Sequence, residues 1–425
     1  MYCGYRGALD EDCGYRGALD VHYGRCKSLD EYCRRRGFVV FHIVDALTPW
    51  MYIAGNGWQY DCHEGRVRYT GVVICQGDGG VVWCEGNDLQ LVIFNSYVAN
   101  NHALGRGGVV HIQADAHSED GNEVQVVVNN SDITQNTAMA SGGVFSTQNM
   151  YANVTMDRCT ILHNAATKEG GVLHLDFSRL MIVMSLCVIS HNKATGMGGG
   201  VVYADIMQTA NFTLSLCNVS HNDAENGNGG VMNVYHPQYQ QDDKRSHVTM
   251  EGCSIFQNKA AEGGVLYVWM GYRSRGQSIV SFSGSALSQN SAEAGGVVSI
   301  DAKNTASARG RVIMEHCVVS QNRAENVEYT REDGGRGGAV AVEISDLSSH
   351  DDVHFDVIMT DCNLLQNYAE ENGAVVYLYA IETEESCSGN IAISRSHIVQ
   401  NVAGVCPQSL GASQHWSPIR GPGWL

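Results

Sequence analysis

The chain has 425 residues, a formal net charge of −18, 48 glycines and 5 prolines. Such an acidic chain is unsuited to nucleic-acid binding, because phosphate contacts need a basic surface. No apolar run reaches the about 20 residues that a membrane-spanning helix needs, so we expect no transmembrane segment. Abundant glycine and scarce proline favour a strand-rich chain with many turns.

Residues 1–37 form a low-complexity segment built on a ten-residue repeat, Cys-Gly-Tyr-Arg-Gly-Ala-Leu-Asp, which starts at Cys3 and again at Cys13. The repeat has no apolar face, so we expect this segment to be disordered. Charged residues from Arg6 onward interrupt it before a secretory signal core develops. We interpret residues 38–70 as an N-terminal capping region of the domain that follows.

Residues 71–403 repeat one phrase: a Cys or Ser anchor, four residues, an Asn, one residue and an Ala, usually followed by Gly-Gly and an apolar strand. The anchors recur every 28 to 45 residues or so, a spacing typical of solenoids and propellers. The Asn positions are Asn101, Asn136, Asn164, Asn192, Asn222, Asn258, Asn290, Asn322, Asn367 and Asn401.

Apolar residues alternate with a period of two around each anchor, as Val154 and Met156 do before Cys159, and again after the glycines at Leu173 and Leu175. This period indicates strands with one buried face. No segment has a helical period, and the hairpin turns of a propeller are not evident. The pattern predicts an all-β, single-stranded parallel β-helix of about eleven coils, with like residues about 4.8 Å apart.

Stacking gives each column of the repeat a physical role. Buried Asn side chains in register are expected to hydrogen-bond to one another as an inner ladder. The anchors form a Cys/Ser column in which parallel side chains meet at a poor angle for disulfides, so reduced thiols are favoured over ladder disulfides. No pair has zinc-knuckle spacing, and no metal site is predicted. The cysteine anchors are Cys159, Cys187, Cys217, Cys253, Cys317 and Cys362.

Segments such as Cys159-Thr-Ile-Leu-His-Asn164-Ala-Ala166 followed by Gly170-Gly171-Val172-Leu173 resemble the paired FxxN and GGA(I/L/V) repeats of chlamydial polymorphic outer membrane proteins. They are similar, more broadly, to repeats of the pectin-lyase-like superfamily. The resemblance implies a right-handed β-helix and an extracellular or cell-surface, adhesin-like rod that binds a glycan or a protein surface. Because the superfamily includes polysaccharide lyases and glycoside hydrolases, a carbohydrate-active enzyme is the alternative.

The outward face of the strand after Gly-Gly is the candidate ligand site. If the register holds, Asp176 and Asp205 lie one coil apart, near the separation of a retaining glycosidase pair, and would be the catalytic candidates of an enzyme. The same residues are also consistent with a purely structural role, in which Asp caps turns and aromatic rings cover the sheet. Lys and Arg are missing from this face, so no lyase base is evident, and calcium is expected only if the protein is an enzyme. The predicted ligand-binding residues are His174, Tyr203, Tyr235, Tyr267, Trp269 and Asp301.

The sequence has three further features: a set of regularly spaced histidines, a C-terminal segment rich in Gly and Pro, and four sequons. His163, His191 and His221 each precede a ladder Asn, and we expect a solvent-facing turn column there rather than a metal site. Residues 404–425 contain several Gly and Pro and are predicted to be an unstructured tail. Sequons for N-glycosylation occur at Asn129, Asn153, Asn211 and Asn218, and Asn218 is expected to face outward.

Overall fold

The fold is an all-β parallel solenoid, as the repeat predicts. The computed structural model describes residues 38–41, 67–68, 74–75, 79–85, 89–113, 123–236, 243–271, 275–303, 307–325, 335–345, 352–380 and 387–404. Within these ranges every regular element is a strand, and the strands pair in parallel with the equivalent strands of the coils above and below. The predicted disordered segment 1–37 lies outside the described residues, as does the predicted tail apart from Gly404.

Each coil supplies one short strand to each of two narrow sheets, in the segment that follows its anchor. Each of these sheets has eleven strands. Sheet B consists of Val67–Arg68, Ser96–Ala99, Asp132–Thr134, Thr160–Leu162, Val188–Ser190, Asn218–Ser220, Ser254–Phe256, Ala286–Ser288, Val318–Ser320, Asn363–Leu365 and His397–Val399. Sheet C consists of Ile74–Cys75, His102–Ala103, Thr137–Ala138, Ala165–Ala166, Lys193–Ala194, Asp223–Ala224, Lys259–Ala260, Ser291–Ala292, Arg323–Ala324, Tyr368–Ala369 and Val402–Ala403.

Sheet A has two columns: glycine-side strands, which follow Gly-Gly, and anchor-side strands, which precede the next anchor. Three long strands, Phe145–Asp157, Leu173–Ser185 and Val202–Ser215, belong to both columns and join them. The other glycine-side strands are Val82–Glu85, Val110–Gln113, Met232–His236, Leu266–Met270, Val298–Lys303, Val340–Ser345 and Val376–Ala380. The other anchor-side strands are Phe38–Phe41, Leu89–Phe94, Glu123–Asn129, Asp243–Glu251, Arg275–Ser283, Ser307–Glu315, Asp352–Thr360 and Cys387–Ser394.

The solenoid amounts to about eight turns, fewer than the eleven coils predicted. The narrow sheets reach eleven strands because short strands at both ends extend them. Two strands of the predicted capping region join the solenoid: Phe38–Phe41 pairs with Leu89–Phe94 in sheet A, and Val67–Arg68 pairs with Ser96–Ala99 in sheet B. These strands of the capping region therefore extend the sheets of the solenoid.

The core runs along the axis as files of equivalent apolar side chains. Ile161 is fully buried, as are its register partners Ile133 and Ile189 in sheet B. Burial of each such side chain contributes about 1.5 to 3 kcal/mol, and neighbouring coils supply the covering surface. The fold is therefore stabilised mainly by contacts between successive coils.

Each coil turns through residues in the left-handed region of backbone space. The residue before the ladder Asn has a φ of 56° at His163, His191 and His221, and Gln occupies the same position in six other coils. The first glycine of each Gly-Gly pair also has positive φ, for example 65° at Gly170. Glycine accepts this conformation without the penalty that a Cβ atom brings.

Candidate functional site

The Asn column is a continuous ladder through the centre of the solenoid. Asn164 donates from both its backbone N and its Nδ2 to Oδ1 of Asn192, each at 3.0 Å, and the same pair of bonds recurs from Asn101 to Asn401. The second Nδ2 proton of Asn164 goes to the carbonyl oxygen of Ile133 in the preceding coil at 2.9 Å. The predicted ladder is confirmed, and it ties each coil to the coils on both sides of it.

The Cys/Ser column is buried from Ser96 to Cys362. The six cysteine anchors are free thiols with 1–2% exposure. Each thiol donates to two carbonyl oxygens; for Cys187 these belong to Met156 at 3.5 Å and Ser185 at 3.2 Å. The prediction that the anchor thiols face inward is confirmed, and none of the six is accessible as a nucleophile.

On the glycine-side strands the register brings the predicted residues into one file, which we call the acid–aromatic file. Asp176 pairs with Asp205, Asp205 with Tyr235, Tyr235 with Trp269 and Trp269 with Asp301. Strand neighbours are about 4.8 Å apart, so these side chains are direct neighbours along the axis. Asp301 is buried, whereas the other four side chains are half-buried.

Two residues earlier on each strand the side chains are covered, which the sequence does not indicate. His174, Tyr203 and Tyr267 are 8%, 7% and 5% exposed. The residues that cover this position form a second stacked column just before Gly-Gly, which includes Glu169 and its bridge partner Gly198. Both sides of the strand are therefore buried at this point.

Polar contacts tie this cover to the strands beneath it. The Nδ2 of Asn233 donates to the carbonyl oxygen of Met197 at 3.0 Å, and the ring of His174 lies 3.9 Å from the carboxylate of Glu169. Burial, with Arg106 and His111 nearby, lowers the pKa of His174 to about 3, so its ring is neutral at physiological pH. A ligand can reach His174, Tyr203 and Tyr267 only if the cover moves.

The aromatic residues stack on each other. The rings of Tyr235 and Trp269 are 4.2 Å apart between centroids and 12° from parallel. Tyr203 lies 6.5 Å from Tyr235 on the opposite side, and His174 is 5.6 Å from Tyr203. Both faces of the Tyr235 ring are thus turned towards neighbouring rings, whereas Tyr235 stacks on only one face of Trp269. A ligand meets ring edges along most of this stack.

Asp176 and Asp205 are acidic register partners on adjacent strands. Burial raises the pKa of Asp176, with Arg106 opposing the shift. Burial together with the Asp176 charge raises the pKa of Asp205 to about 7, and Lys244 opposes that shift. One buried oxygen of each carboxyl group has no hydrogen-bond partner. A pKa of about 7 leaves the Asp205 carboxyl group partly protonated near neutral pH.

Arg106 and Lys244 are basic residues near this pair that sequence reasoning missed. Arg106 lies in the loop before Gly107, two coils from Asp176, so the chain order gives no sign of the contact. Lys244 does carry a signal, because Ser246, Val248 and Met250 alternate inward after it. Lys244 is only 2% exposed, so a buried basic residue influences the Asp205 carboxyl group although the column itself contains no Lys or Arg.

A polar cluster lies in the core beside Lys244. His236 Nε2 is 3.1 Å from Oγ of Ser246, which donates to Oγ of Ser278 at 2.9 Å. Burial and the nearby Lys244 lower the pKa of His236 to about 3, which keeps the ring neutral. All of these side chains are buried, so the Ser–His contact is a core hydrogen bond with no access for a substrate.

The three corner histidines stack in a file on the outside, as predicted. Ring centroids are 4.8 Å apart between His163 and His191 and 4.7 Å apart between His191 and His221. The described residues contain no group of three or more His, Cys, Asp or Glu side chains placed to hold a metal ion. The sequons are all on strands, and Asn211 and Asn218 are exposed.

The fold and these files define the class of the protein: a parallel β-solenoid with an internal Asn ladder. No protein-family model matches the chain, and neither a curated protein nor a solved structure is significantly similar to it. Within the described ranges no helix is long and apolar enough to cross a bilayer.

Proposed function

We propose that this protein is a non-catalytic binding rod, displayed outside the cell or on its surface, with an adhesin-like role. The observation that carries the proposal is the acid–aromatic file. Tyr235 and Trp269 are half-buried aromatic side chains held at 4.2 Å, with the carboxyl groups of Asp205 and Asp301 on the neighbouring coils. Aromatic and hydrogen-bonding groups on a rigid surface are typical of sites that bind a glycan or another protein.

The scaffold suits this role because it needs no rearrangement to present Tyr235 and Trp269. The Asn ladder satisfies both protons and both acceptor positions of each internal rung, which fixes adjacent strands with bonds of 2.8 to 3.0 Å between side chains. A preorganised surface loses little conformational entropy on binding. The right-handed winding and the relationship to polymorphic outer membrane proteins and pectin-lyase-like proteins belong to this proposal, as does the extracellular location.

Binding assays with immobilised glycans and with cell-surface protein extracts test the proposal. We expect Trp269→Ala and Asp205→Asn to reduce capture of the same ligand at least about tenfold, as loss of a central interface residue does. Met181→Ala is the matched control, since Met181 is exposed on the anchor-side part of sheet A. If Trp269→Ala and Asp205→Asn captured as much ligand as the control Met181→Ala, a binding role for the file would be refuted.

A carbohydrate-active enzyme is the second candidate, and the Asp176–Asp205 pair supports it. The two residues lie on adjacent strands, about 4.8 Å apart along the axis, and Asp205 is partly protonated near neutral pH. Retaining glycoside hydrolysis requires two carboxyl groups about 5 to 5.5 Å apart, one of them a general acid. The test is a polysaccharide depolymerisation screen with and without calcium, repeated with Asp176→Asn and Asp205→Asn. Turnover by the native chain that either variant abolishes would establish the enzyme and overturn the non-catalytic proposal.

A further inference from the structure

A second candidate site lies at the corner where sheet B turns into sheet C, outside the acid–aromatic file. A groove of about 760 Å³ runs along this corner, and its volume is within the range of ligand-binding sites. One part of its lining is a column of glutamines from five successive coils, each placed between a strand of sheet B and the ladder Asn. The column, which we call the glutamine file, consists of Gln257, Gln289, Gln321, Gln366 and Gln400.

The glutamine file presents its amide groups in a regular way. All five residues have a backbone φ between 54° and 56°, so their side chains leave the corner in a similar direction. Nε2 of Gln289 donates to Oε1 of Gln321 at 3.0 Å. The same bond joins Gln321 to Gln366 at 3.0 Å and Gln366 to Gln400 at 2.9 Å. These bonds orient the side chains, which nevertheless remain exposed.

Each internal amide of the file keeps half of its hydrogen-bonding capacity for a ligand. A glutamine side chain has two N–H donors and two acceptor positions. Gln321 and Gln366 each use one donor and one acceptor position within the file. With about 4.8 Å between coils, the file offers donors and acceptors at regular steps over about 19 Å. A ligand that matches it is extended and carries repeated hydrogen-bonding groups of both kinds.

The surroundings of the file are uncharged overall, in contrast to a chain of net charge −18. In the lining, Nη1 of Arg323 lies 3.1 Å from Oε1 of Glu325, so the cation is matched by an anion. Sheet B, which leads into the corner, has no charged residue in the seven successive strands from Thr160–Leu162 to Asn363–Leu365. An uncharged partner is favoured here, because a charged group would lose hydration without meeting an opposite charge. A second copy of this acidic chain would in addition be repelled.

Sheet C supplies the apolar part of the lining. Tyr368 is half-buried at the start of a sheet C strand, and its register partner Val402 in the next coil is 53% exposed. Sugar rings present C–H groups to aromatic and aliphatic side chains and hydroxyl groups to amides, so a glycan chain matches both parts of the lining. We propose that this groove binds an uncharged polysaccharide, which lies along the solenoid axis at a site separate from the acid–aromatic file.

Isothermal titration of the full chain with neutral hexasaccharides tests the proposal; the probes are cellohexaose, mannohexaose, xylohexaose and N-acetylchitohexaose. We expect at least one of them to bind. Its monosaccharide should bind at least about tenfold more weakly, because it loses the hydrogen bonds to all but one or two coils. Hexagalacturonate, which is charged, should not bind. Salt should have little effect on binding, because the contacts are uncharged.

Variants of the lining identify the site. Gln321→Ala and Gln366→Ala should each weaken binding about three- to tenfold, as loss of a neutral hydrogen-bonding side chain does. Tyr368→Ala removes the aromatic surface and should weaken it at least about tenfold. These side chains are exposed or half-buried, so the variants keep the core and the ladder. The matched control is Gln135→Ala, since Gln135 is an exposed corner glutamine of an earlier coil, outside the groove.

The outcomes separate this site from the proposed function. Trp269→Ala should leave hexasaccharide binding unchanged. Loss of binding in Trp269→Ala but not in Gln321→Ala would assign the glycan to the acid–aromatic file and overturn the proposal. No binding of any hexasaccharide at millimolar concentration, or an equal loss with Gln135→Ala, would also overturn it. Sedimentation of the ligand-free chain tests the other occupant: a dimer that Gln321→Ala dissociates would show that the groove is a surface for a second copy instead.

Discussion

Oδ1 of Asn192 accepts two hydrogen bonds from Asn164, one from the backbone N and one from Nδ2, both at 3.0 Å. The Nδ2 of Asn192 in turn donates to Ile161 O and to Asn222 Oδ1, each at 3.0 Å. Every donor and acceptor of this amide is thus used inside a dry core. A single rung therefore contributes to the stability of three coils.

Replacement of Asn192 by Ala should lower the free energy of unfolding by about 3 to 5 kcal/mol, because it leaves several buried polar groups unpaired. Asn401→Ala is the matched control, since Asn401 is the last rung of the described ladder and is half-buried. We expect its loss to be less than about half as large. Urea unfolding of both variants measures the difference, and equal losses would contradict a cooperative ladder.

The six anchor cysteines should be protected from alkylation in the folded protein. Their thiols are 1–2% exposed and donate to backbone carbonyl groups, as Cys217 does to Met184 O at 3.4 Å. Iodoacetamide treatment followed by peptide mass spectrometry should find them unmodified without denaturant and fully modified in urea. Modification of Cys187 or Cys217 in the native protein at the rate of an exposed thiol would show that the column is open.

The sequence predicts those features that depend on one repeat at a time. The period of two around Cys159 and the spacing to Asn164 are enough to predict the coil and the stacking of like residues. The burial of His174 was not predictable in this way, since its cover comes from the column that contains Glu169, and a local pattern does not show which outward side chains a loop will cover. Proximity of Lys244 to Asp205 likewise depends on how two strands of different coils meet.

The second residue of each Gly-Gly pair has to be glycine because the backbone of the next coil packs directly against it. A Cβ atom on Gly171 would overlap the carbonyl oxygen of Gly200 and lie 2.8 Å from that of Lys193. Gly284 provides the contrast: its φ is +56°, but no heavy atom lies within 4 Å of the Cβ position. Gly284→Ala should therefore cost about 1 to 2 kcal/mol of backbone strain alone.

Gly171→Ala should cost clearly more than Gly284→Ala, because two coils have to separate. Thermal unfolding monitored by circular dichroism measures both effects, and soluble yield gives a second comparison. Equal stability of the two variants would contradict the idea that close contact between coils requires glycine at position 171.

Asp205 should make the protein less stable as pH rises. Its pKa is raised from 3.8 to about 7 by burial and by the Asp176 charge, so the folded state holds a proton that the unfolded state has already lost. The stability associated with this proton is complete below about pH 4 and is lost as pH increases to about 7. Asp205→Asn, which stays neutral, should therefore gain stability over the native chain as pH rises from 4 to 8. Urea unfolding of both proteins at several pH values provides the comparison, and parallel pH profiles would contradict the prediction.

The histidine file should respond to pH in the opposite direction. Burial, followed by the charges of His221 and His163, lowers the pKa of His191. The unfolded chain then takes up a proton as pH falls through about 6.5, before the folded chain does, and stability decreases in that range. Gln occupies this corner position in other coils, where Gln321 donates to Gln366 at 3.0 Å and Gln366 to Gln400 at 2.9 Å.

His191→Gln should consequently leave stability at pH 8 almost unchanged and increase it relative to the native chain at pH 5. Gln289→His provides the reverse test, since it places a single histidine among glutamines and has no stacked imidazole neighbours to repel it. Chemical unfolding at the two pH values should show a smaller pH effect for Gln289→His than the native file produces. An identical pH profile for the native chain and His191→Gln would mean that the stacked imidazole rings do not influence one another's protonation.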